Sequence, residues 1–440
     1  MKIIFSLWML IIVISFYFPD GNAILNFTTL IVWIVTVLLL FKRDSKFSMV
    51  SLFFIISFTV VSLSCLVAES GAFFSEIKQL SYLTGAVTRN LSLSSILILF
   101  SFQTYKILHT MIFFRSGMPI VLNEIFKRVI VFTVLLSNVV LIGIYIKYGT
   151  PNDYNVDRFY YWSNIAPAWG GYFKFILIQM AIFLGLFYSY RMNKAYLVIF
   201  LISLISQVLV GEKLTGLYIS VIFFVIPIVV NRNLSVLRLL LHPKSILIIC
   251  VGCVLLFFII LASYNSLAGK GSGLNLFLNR LVLQSQMWWA VDNISNQQIS
   301  LSNVLTHMLG FSSSSDEDTG IYYLMSRIAD PATFYWFYDK GITFTMASPV
   351  NFIYFFGPYW CYIAILPLAA ILGFTIHVLV KSIELNDIIL IFFTLKLFYI
   401  IIRVVTMGEV HLIFGYKFVI ILLLLLFYML QVSRGNFSNA

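Results

Sequence analysis

The chain has 440 residues, of which 61% are hydrophobic, 17% aromatic and only 10% charged, with a mean hydropathy of +0.99. No aqueous domain of that length hides so much apolar surface, so the composition excludes a globular soluble protein and makes the bilayer the solvent. The net charge of +11 would suit a nucleic-acid partner, but its placement along the chain speaks against one.

In chain order, apolar runs of spanning length are expected near 3–18, 24–41, 48–67, 91–106, 129–147, 172–190, 195–210, 216–230, 246–263, 352–380, 388–406 and 411–431. They are continuous rather than alternating with period two, which predicts helices and not the strands of a barrel. The first run could be read as a signal peptide. Retained, it gives an even count with both termini on the inner side. On that count the inner side holds 15 of the 28 basic residues, among them Lys42, Arg43, Lys46, Lys106 and Lys381. Only Asp44, Glu124, Glu384 and Asp387 oppose them, so the whole excess of +11 lies inside. That is the positive-inside asymmetry, and it makes the basicity a mark of topology and not of a nucleic-acid partner. Cys65, Cys250, Cys253 and Cys361 all fall in apolar runs, and no disulfide is expected.

The expected fold is therefore an all-α polytopic membrane protein of about twelve transmembrane helices with one large external loop. Three sections follow: helices 1–9 over residues 1–263, the loop over 264–347, and helices 10–12 over 348–440. No internal repeat is visible. The loop opens on a glycine-rich hinge, Ala268 to Gly273. From Leu274 to Asn293 it has helical periodicity, with Leu274, Phe277, Leu281 and Trp288 on one face. Trp288 and Trp289 suit a headgroup boundary, so this segment is expected to lie in the membrane interface.

Charged groups converge on the outer boundary. Glu212 and Lys213 sit in a tight hairpin, Arg403 near the outer end of its run, Lys396 deeper on the same face, and Glu409 and His411 in the next outer turn, with Lys417 starting the return. Charge in hydrocarbon is costly and usually faces a cavity or a partner. Snorkelling explains Arg403 and Lys417 but not a mid-run Lys396. With Arg280 and Arg327 from the loop, these cations suit an anionic headgroup, above all a lipid diphosphate, because the planar fork of arginine matches phosphate oxygens. Asp316 and Asp318 have the spacing of a metal-holding carboxylate pair but lie in a serine-rich stretch, and no metal site is expected. His307 is a candidate base. Trp288, Trp289, Tyr322 and Tyr323 offer faces that suit sugar rings or a membrane interface alike. Walker, GxGxxG, HExxH and GxSxG motifs are absent.

On these residues the chain resembles the bacterial O-antigen polymerases of the Wzy type and, more distantly, the O-antigen ligases. Such proteins have one large late periplasmic loop and a short Gly-x-Lys/Arg motif at an outer hairpin, which Gly211-Glu212-Lys213 matches. Arg280 matches their arginine early in the loop, and Ser348 to Gly357 resembles the segment where the chain re-enters the membrane. Ligases carry a His-Asn pair there; this chain has Val350-Asn351, which argues against a ligase and leaves the base unidentified. The resemblance implies a GT-C-like fold in a bacterial inner membrane with a periplasmic loop. It implies a metal-independent, cofactor-free glycosyltransferase that polymerises undecaprenyl-pyrophosphate-linked repeat units into O-antigen or a related surface polysaccharide. Implied partners are the polyprenyl-pyrophosphate-linked glycans, membrane lipids and a chain-length regulator.

On that reading Lys213, Arg280, Arg327, Lys396 and Arg403 bind pyrophosphate, and Glu212, Asp292, His307, Glu409 or His411 is the general base. The rival reading is a lipid-linked oligosaccharide flippase, which would place its charges in a central cavity and lack a single long external loop.

Overall fold

The computed structural model describes residues 2–111, 120–156, 158–212, 215–268, 273–294, 300–311 and 318–435. The chain begins with α1 (Lys2–Phe16), α2 (Ala23–Arg43), α3 (Ser45–Val50) and α4 (Leu52–Ala68). A two-residue antiparallel hairpin follows, β1 (Phe73–Phe74) on β2 (Gln79–Leu80). Next come α5 (Ala86–Met111), α6 (Ile120–Tyr148), α7 (Arg158–Tyr160), α8 (Gly170–Arg191), α9 (Lys194–Leu209), α10 (Thr215–Arg232), α11 (Val236–Leu241) and α12 (Pro243–Ala268). The loop contains α13 (Gly273–Leu283), α14 (Gln286–Asn293), α15 (Leu301–Asn303), α16 (Ile321–Ile328) and α17 (Pro331–Asp339). The chain ends in α18 (Val350–Ala364), α19 (Leu366–Glu384), α20 (Ile388–Met407) and α21 (Tyr416–Gly435).

Among the described residues, eight helices are long and apolar enough to cross a membrane: α2, α5, α6, α8, α10, α12, α19 and α20. The protein is an all-α membrane protein on this ground. The runs expected near 3–18, 48–67, 195–210 and 411–431 fold as shorter apolar helices. The run expected over 352–380 is not continuous. Gly357 takes a non-helical φ of 72° and ψ of 174° ahead of Pro358, and a second helix begins at Leu366. Glycine reaches that conformation without Cβ strain, and proline cannot supply the amide that a continuing helix needs.

Short polar side chains start several helices. Asn22 Oδ1 accepts from the Ile24 and Leu25 amides at 2.9 and 3.1 Å at the start of α2. Asp387 Oδ1 accepts from Leu390 N at 3.0 Å at the start of α20, while its other oxygen accepts from the Tyr428 hydroxyl at 2.8 Å. These caps satisfy amides that have no partner within the helix.

In lipid, burial of apolar surface does not drive helices together, so close approach of small residues and interhelical hydrogen bonds take over. Gly185 of α8 lies so close to α10 that a Cβ would sit 2.0 Å from the Phe224 carbonyl oxygen. Gly373 of α19 is pressed in the same way against the Ser101 carbonyl of α5, 2.4 Å from where a Cβ would be. Ser101 Oγ donates to the Ala369 carbonyl at 2.8 Å across that contact. Trp8 Nε1 to Thr36 Oγ1 at 3.0 Å and Trp33 Nε1 to Thr59 Oγ1 at 2.8 Å tie the first helices together.

The segment expected as one interfacial helix is two. It breaks at Gln284-Ser285, and α14 is buried against α4, α5 and α18. Trp288 and Trp289 are 0% and 1% exposed, so they are core residues and not a headgroup anchor. The reason is polar as well as apolar. Trp289 Nε1 donates to the Tyr82 carbonyl at 2.9 Å. Asp292 takes both arms of the Arg89 guanidinium, Nε to Oδ1 at 2.8 Å and Nη2 to Oδ2 at 2.5 Å. A bidentate pair of this kind holds α14 on the start of α5.

Candidate functional site

The site is built around the turn after α20. Gly408 caps that helix in the left-handed region at a φ of 76°, and Val410–Ile413 form a short 3-10 turn. Arg403 stands one turn before the cap and Glu409 just after it. They pair through Nε to Oε2 at 2.6 Å and Nη2 to Oε1 at 2.7 Å. The glutamate is buried, whereas the arginine side chain is 54% exposed.

His411 faces the loop. A Cβ on Gly310 would lie 3.0 Å from its Cβ, and one on Gly320 would lie 3.1 Å from its Nδ1. The imidazole thus fills a notch that two glycines leave open. Its Nδ1 is buried and has no hydrogen-bond partner among the described residues. Burial lowers its pKa below the ordinary value, with Glu409 opposing and Arg403 adding to the shift. Nearby, burial first and the Glu409 charge second push the Tyr322 hydroxyl upward.

His307 takes a different place. Its Nδ1 lies 2.9 Å from the Asp318 carbonyl, and its ring stacks on Tyr323 with centroids 3.8 Å apart and planes at 9°. The Gly320 amide donates to the His307 carbonyl at 2.7 Å, which folds this part of the loop back towards His411. Arg327 lies over the same Tyr323 ring, its Cζ 4.9 Å from the centroid. Tyr323 is buried and Tyr322 half-buried, the latter edge-on to Tyr338 at 5.1 Å. Burial raises the Asp318 carboxyl, with the His307 charge opposing. Asp316 lies outside the described residues.

The third side of the site is where the chain re-enters the helical bundle. The Ser348 amide donates to the Thr406 carbonyl at 3.2 Å. A Cβ on Gly408 would lie 3.3 Å from Asn351 Nδ2. Ser348 Oγ and both polar atoms of the Asn351 amide are buried without a hydrogen-bond partner among the described residues. Together with His411 Nδ1, these form a group of unsatisfied polar atoms against a single turn, 406–411. Each such atom costs about 1–3 kcal/mol, so their clustering calls for a cause beyond folding.

Below this turn, Lys396, Tyr399 and Arg403 recur at spacings of three and four on one face of α20. Lys396 Nζ donates to Gln179 Oε1 of α8. One and a half turns earlier on α8, Lys174 Nζ meets Glu212 Oε2 at 2.9 Å, while Arg158 Nη1 meets Glu212 Oε1 at 3.2 Å. Burial opposes ionisation of Glu212, but Lys174 and Arg158 outweigh it and hold the carboxyl below its ordinary value. Lys213 lies outside the described residues.

The fold thus brings Arg403, Glu409, His411, Tyr322, His307, Tyr323 and Arg327 together, with Lys396 two turns before Arg403 on α20, while Glu212 belongs to the Lys174–Arg158 group. It engages two candidates elsewhere. Asp292 belongs to the Arg89 pair, and Arg280 pairs with Glu76 at 2.8 Å. The buried Trp288 and Trp289 present no accessible face to a sugar. Sequence reasoning passed over Arg89, Arg158, Lys174 and Gln179. Lys174 carried a signal, a lone charge inside an apolar run; Arg158 did not. Among the described residues no three His, Cys, Asp or Glu side chains are grouped to hold a metal ion.

Residues 314–422 match a family described as a family of unknown function (DUF6418). That stretch contains Tyr322, Tyr323, Arg327, Ser348, Asn351, Lys396, Arg403, Glu409 and His411, and so nearly the whole site at the 406–411 turn. No curated protein and no solved structure matches the chain.

Proposed function

We propose that the protein is a membrane glycosyltransferase that joins lipid-diphosphate-linked glycan units at the outer face of a bacterial inner membrane, an O-antigen polymerase in kind. The observation that carries this reading is the coincidence, at one turn under the long loop, of an exposed arginine fork with four buried polar atoms that lack partners among the described residues. On this reading the chain makes about twelve crossings in a GT-C-like arrangement, with both termini cytoplasmic and the loop periplasmic.

Of the five candidate bases, Glu212, Asp292 and Glu409 are ion-paired, and the His307 Nδ1 is engaged by a carbonyl. His411 is the one whose Nδ1 stands without a partner among the described residues and whose environment favours the neutral imidazole. His411 takes the proton of the acceptor hydroxyl as that oxygen attacks the anomeric carbon of the donor glycan. The bond from that carbon to the diphosphate oxygen breaks, and the polyprenyl diphosphate leaves with its new charge held by Arg403. Lys396 and the Lys174–Arg158 group raise the local positive potential. Asn351 and Ser348 supply hydrogen bonds to sugar hydroxyls, and Arg327 with the Tyr322 ring borders the glycan path.

The test is direct. Purified protein in vesicles, given a polyprenyl-diphosphate-linked repeat unit, should lengthen the glycan and release one polyprenyl diphosphate per bond formed. Movement of the intact lipid-linked unit across the bilayer, with no diphosphate released, would overturn the reading.

A further inference from the structure

The transfer described above gives His307 no part, yet the fold fixes its imidazole closely. The ring stacks on Tyr323 with centroids 3.8 Å apart and planes at 9°. Tyr323 is itself buried, lies within 21° of parallel to Phe355 of α18, and carries Arg327 Cζ 4.9 Å from its centroid. Neighbours that cannot easily move therefore set the plane of the imidazole.

Its hydrogen is placed as well. His307 Nδ1 lies 2.9 Å from the Asp318 carbonyl oxygen. A carbonyl only accepts, so Nδ1 carries a hydrogen, and in the neutral ring the lone pair lies at Nε2. No described residue hydrogen-bonds Nε2, and it is not one of the buried polar atoms that lack a partner, so it is open to solvent. The half-buried ring thus presents an acceptor of fixed direction.

That acceptor stands close to His411. The Gly320 amide donates to the His307 carbonyl at 2.7 Å, and a Cβ on the same glycine would lie 3.1 Å from His411 Nδ1. Both histidines therefore adjoin one residue. A lone pair held there calls for a donor. An ionised carboxylate or diphosphate has no hydrogen to offer, whereas a sugar hydroxyl has one. A site built to pair with a substrate hydroxyl also rejects the analogue that lacks it.

We propose that His307 Nε2 accepts a hydrogen bond from a hydroxyl of the bound glycan and so selects the sugar, and the orientation, that His411 meets. The inference rests on the transfer reading above and makes His307 a specificity-determining residue, with the base still at His411.

The experiment uses full-length protein in vesicles. Diethyl pyrocarbonate acylates accessible, unprotonated imidazole nitrogens, and peptide masses locate the change. His307 should react at mildly alkaline pH. A polyprenyl-diphosphate-linked repeat unit should protect it, and polyprenyl diphosphate alone should not. An unreactive His307, equal protection by the two lipids, or protection by neither overturns the inference.

Transfer kinetics supply the second arm. In His307→Asn the amide keeps a donor for the Asp318 carbonyl and loses the acceptor. In His307→Gln the longer side chain carries an amide oxygen to the place of Nε2. His307→Asn should raise the KM for the lipid-linked unit by about three- to tenfold, the worth of one neutral hydrogen bond, with a smaller change in kcat. His307→Gln should raise it less. The reverse order would leave His307 as a brace for the Asp318 carbonyl and overturn the inference. A fall in kcat of about a hundredfold or more in both variants would make His307 the base, and overturns it equally. The two readings fail separately. Protection of His307 by the glycan without any transfer removes the transferase reading and keeps this contact, whereas transfer with His307 unprotected does the opposite.

Discussion

Arg403 and Glu409 close the turn after α20 on each other, with two nitrogen–oxygen contacts of 2.6 and 2.7 Å between an exposed guanidinium and a buried carboxylate. The carboxylate sets the plane of the fork and leaves the rest of the guanidinium open to a ligand. Lysine cannot reproduce that geometry, because it offers a point charge in place of a planar fork. Arg403→Lys should therefore reduce glycan elongation by about two orders of magnitude while the protein still reaches the membrane. Chain length on a gel, read against the amount of membrane-bound protein, checks this; wild-type chain lengths would remove Arg403 from the site.

The pH dependence follows from His411. Burial depresses its folded-state pKa, so the neutral ring is favoured on folding. Its contribution to stability is complete above the ordinary imidazole value of about 6.5 and is lost as pH falls through the lower folded value. Transfer activity should fall over the same window, because protonation removes the base. In His411→Gln, activity should be lost at every pH, and the acid-side drop in unfolding temperature should shrink. An activity limb centred above pH 7 would assign the base to another group.

Two glycines give a matched comparison. Gly320 has a φ of 58°, and a Cβ there would lie 3.1 Å from His411 Nδ1; Gly341 has a φ of 62° with nothing within 4 Å. Both alanine variants should lose about 1 kcal/mol or somewhat more to backbone strain. Only Gly320→Ala should also displace the imidazole, with a loss of transfer rate of about tenfold or greater. Equal activities for the two variants, at matched amounts of folded protein, would detach His411 from catalysis.

The buried Arg89–Asp292 pair serves stability. Removing one partner of such a pair leaves a buried charge uncompensated and costs about 3–5 kcal/mol, whereas replacing both with apolar residues is far milder. Asp292→Asn should thus sharply lower the unfolding temperature and the yield of membrane-inserted protein. The double variant Arg89→Met with Asp292→Leu should recover much of both. A normally stable Asp292→Asn protein that fails in transfer would reassign the aspartate to chemistry.

Much of the helical architecture is legible in the sequence, because a chain dissolved in lipid writes its spans as continuous apolar runs. The breaks are less legible. Ser51, Gly357-Pro358 and Gln284-Ser285 interrupt helices within the described fold, and of these only Gly-Pro is punctuation a reader can see. Arg403, Glu409 and His411 stand out because charge at an apolar boundary is costly and needs a reason. Trp288 and Trp289 look like headgroup anchors in the sequence because an amphipathic ring suits a membrane boundary and a buried carbonyl equally well, and Trp289 takes the carbonyl of Tyr82. Lys174 and Arg158 find Glu212 across long stretches of chain; the lone charge of Lys174 in an apolar run shows that it needs a partner, but nothing local says which. In the sequence Asn351 stands out only by the valine where a ligase has a histidine; that its amide lies buried without a partner among the described residues is a property of the fold.

Topology is open to a simple check. A reporter fused at Ser314 should read as external; an internal signal would turn the proposed orientation over and place Arg403 on the cytoplasmic side.

The most direct measurement is deletion of the gene followed by separation of the surface polysaccharide on a denaturing gel, with and without the protein restored. Polymerase activity predicts glycan capped at one repeat unit after deletion and a full ladder on restoration. Loss of even the single-unit band would contradict it and point to transport of the lipid-linked unit.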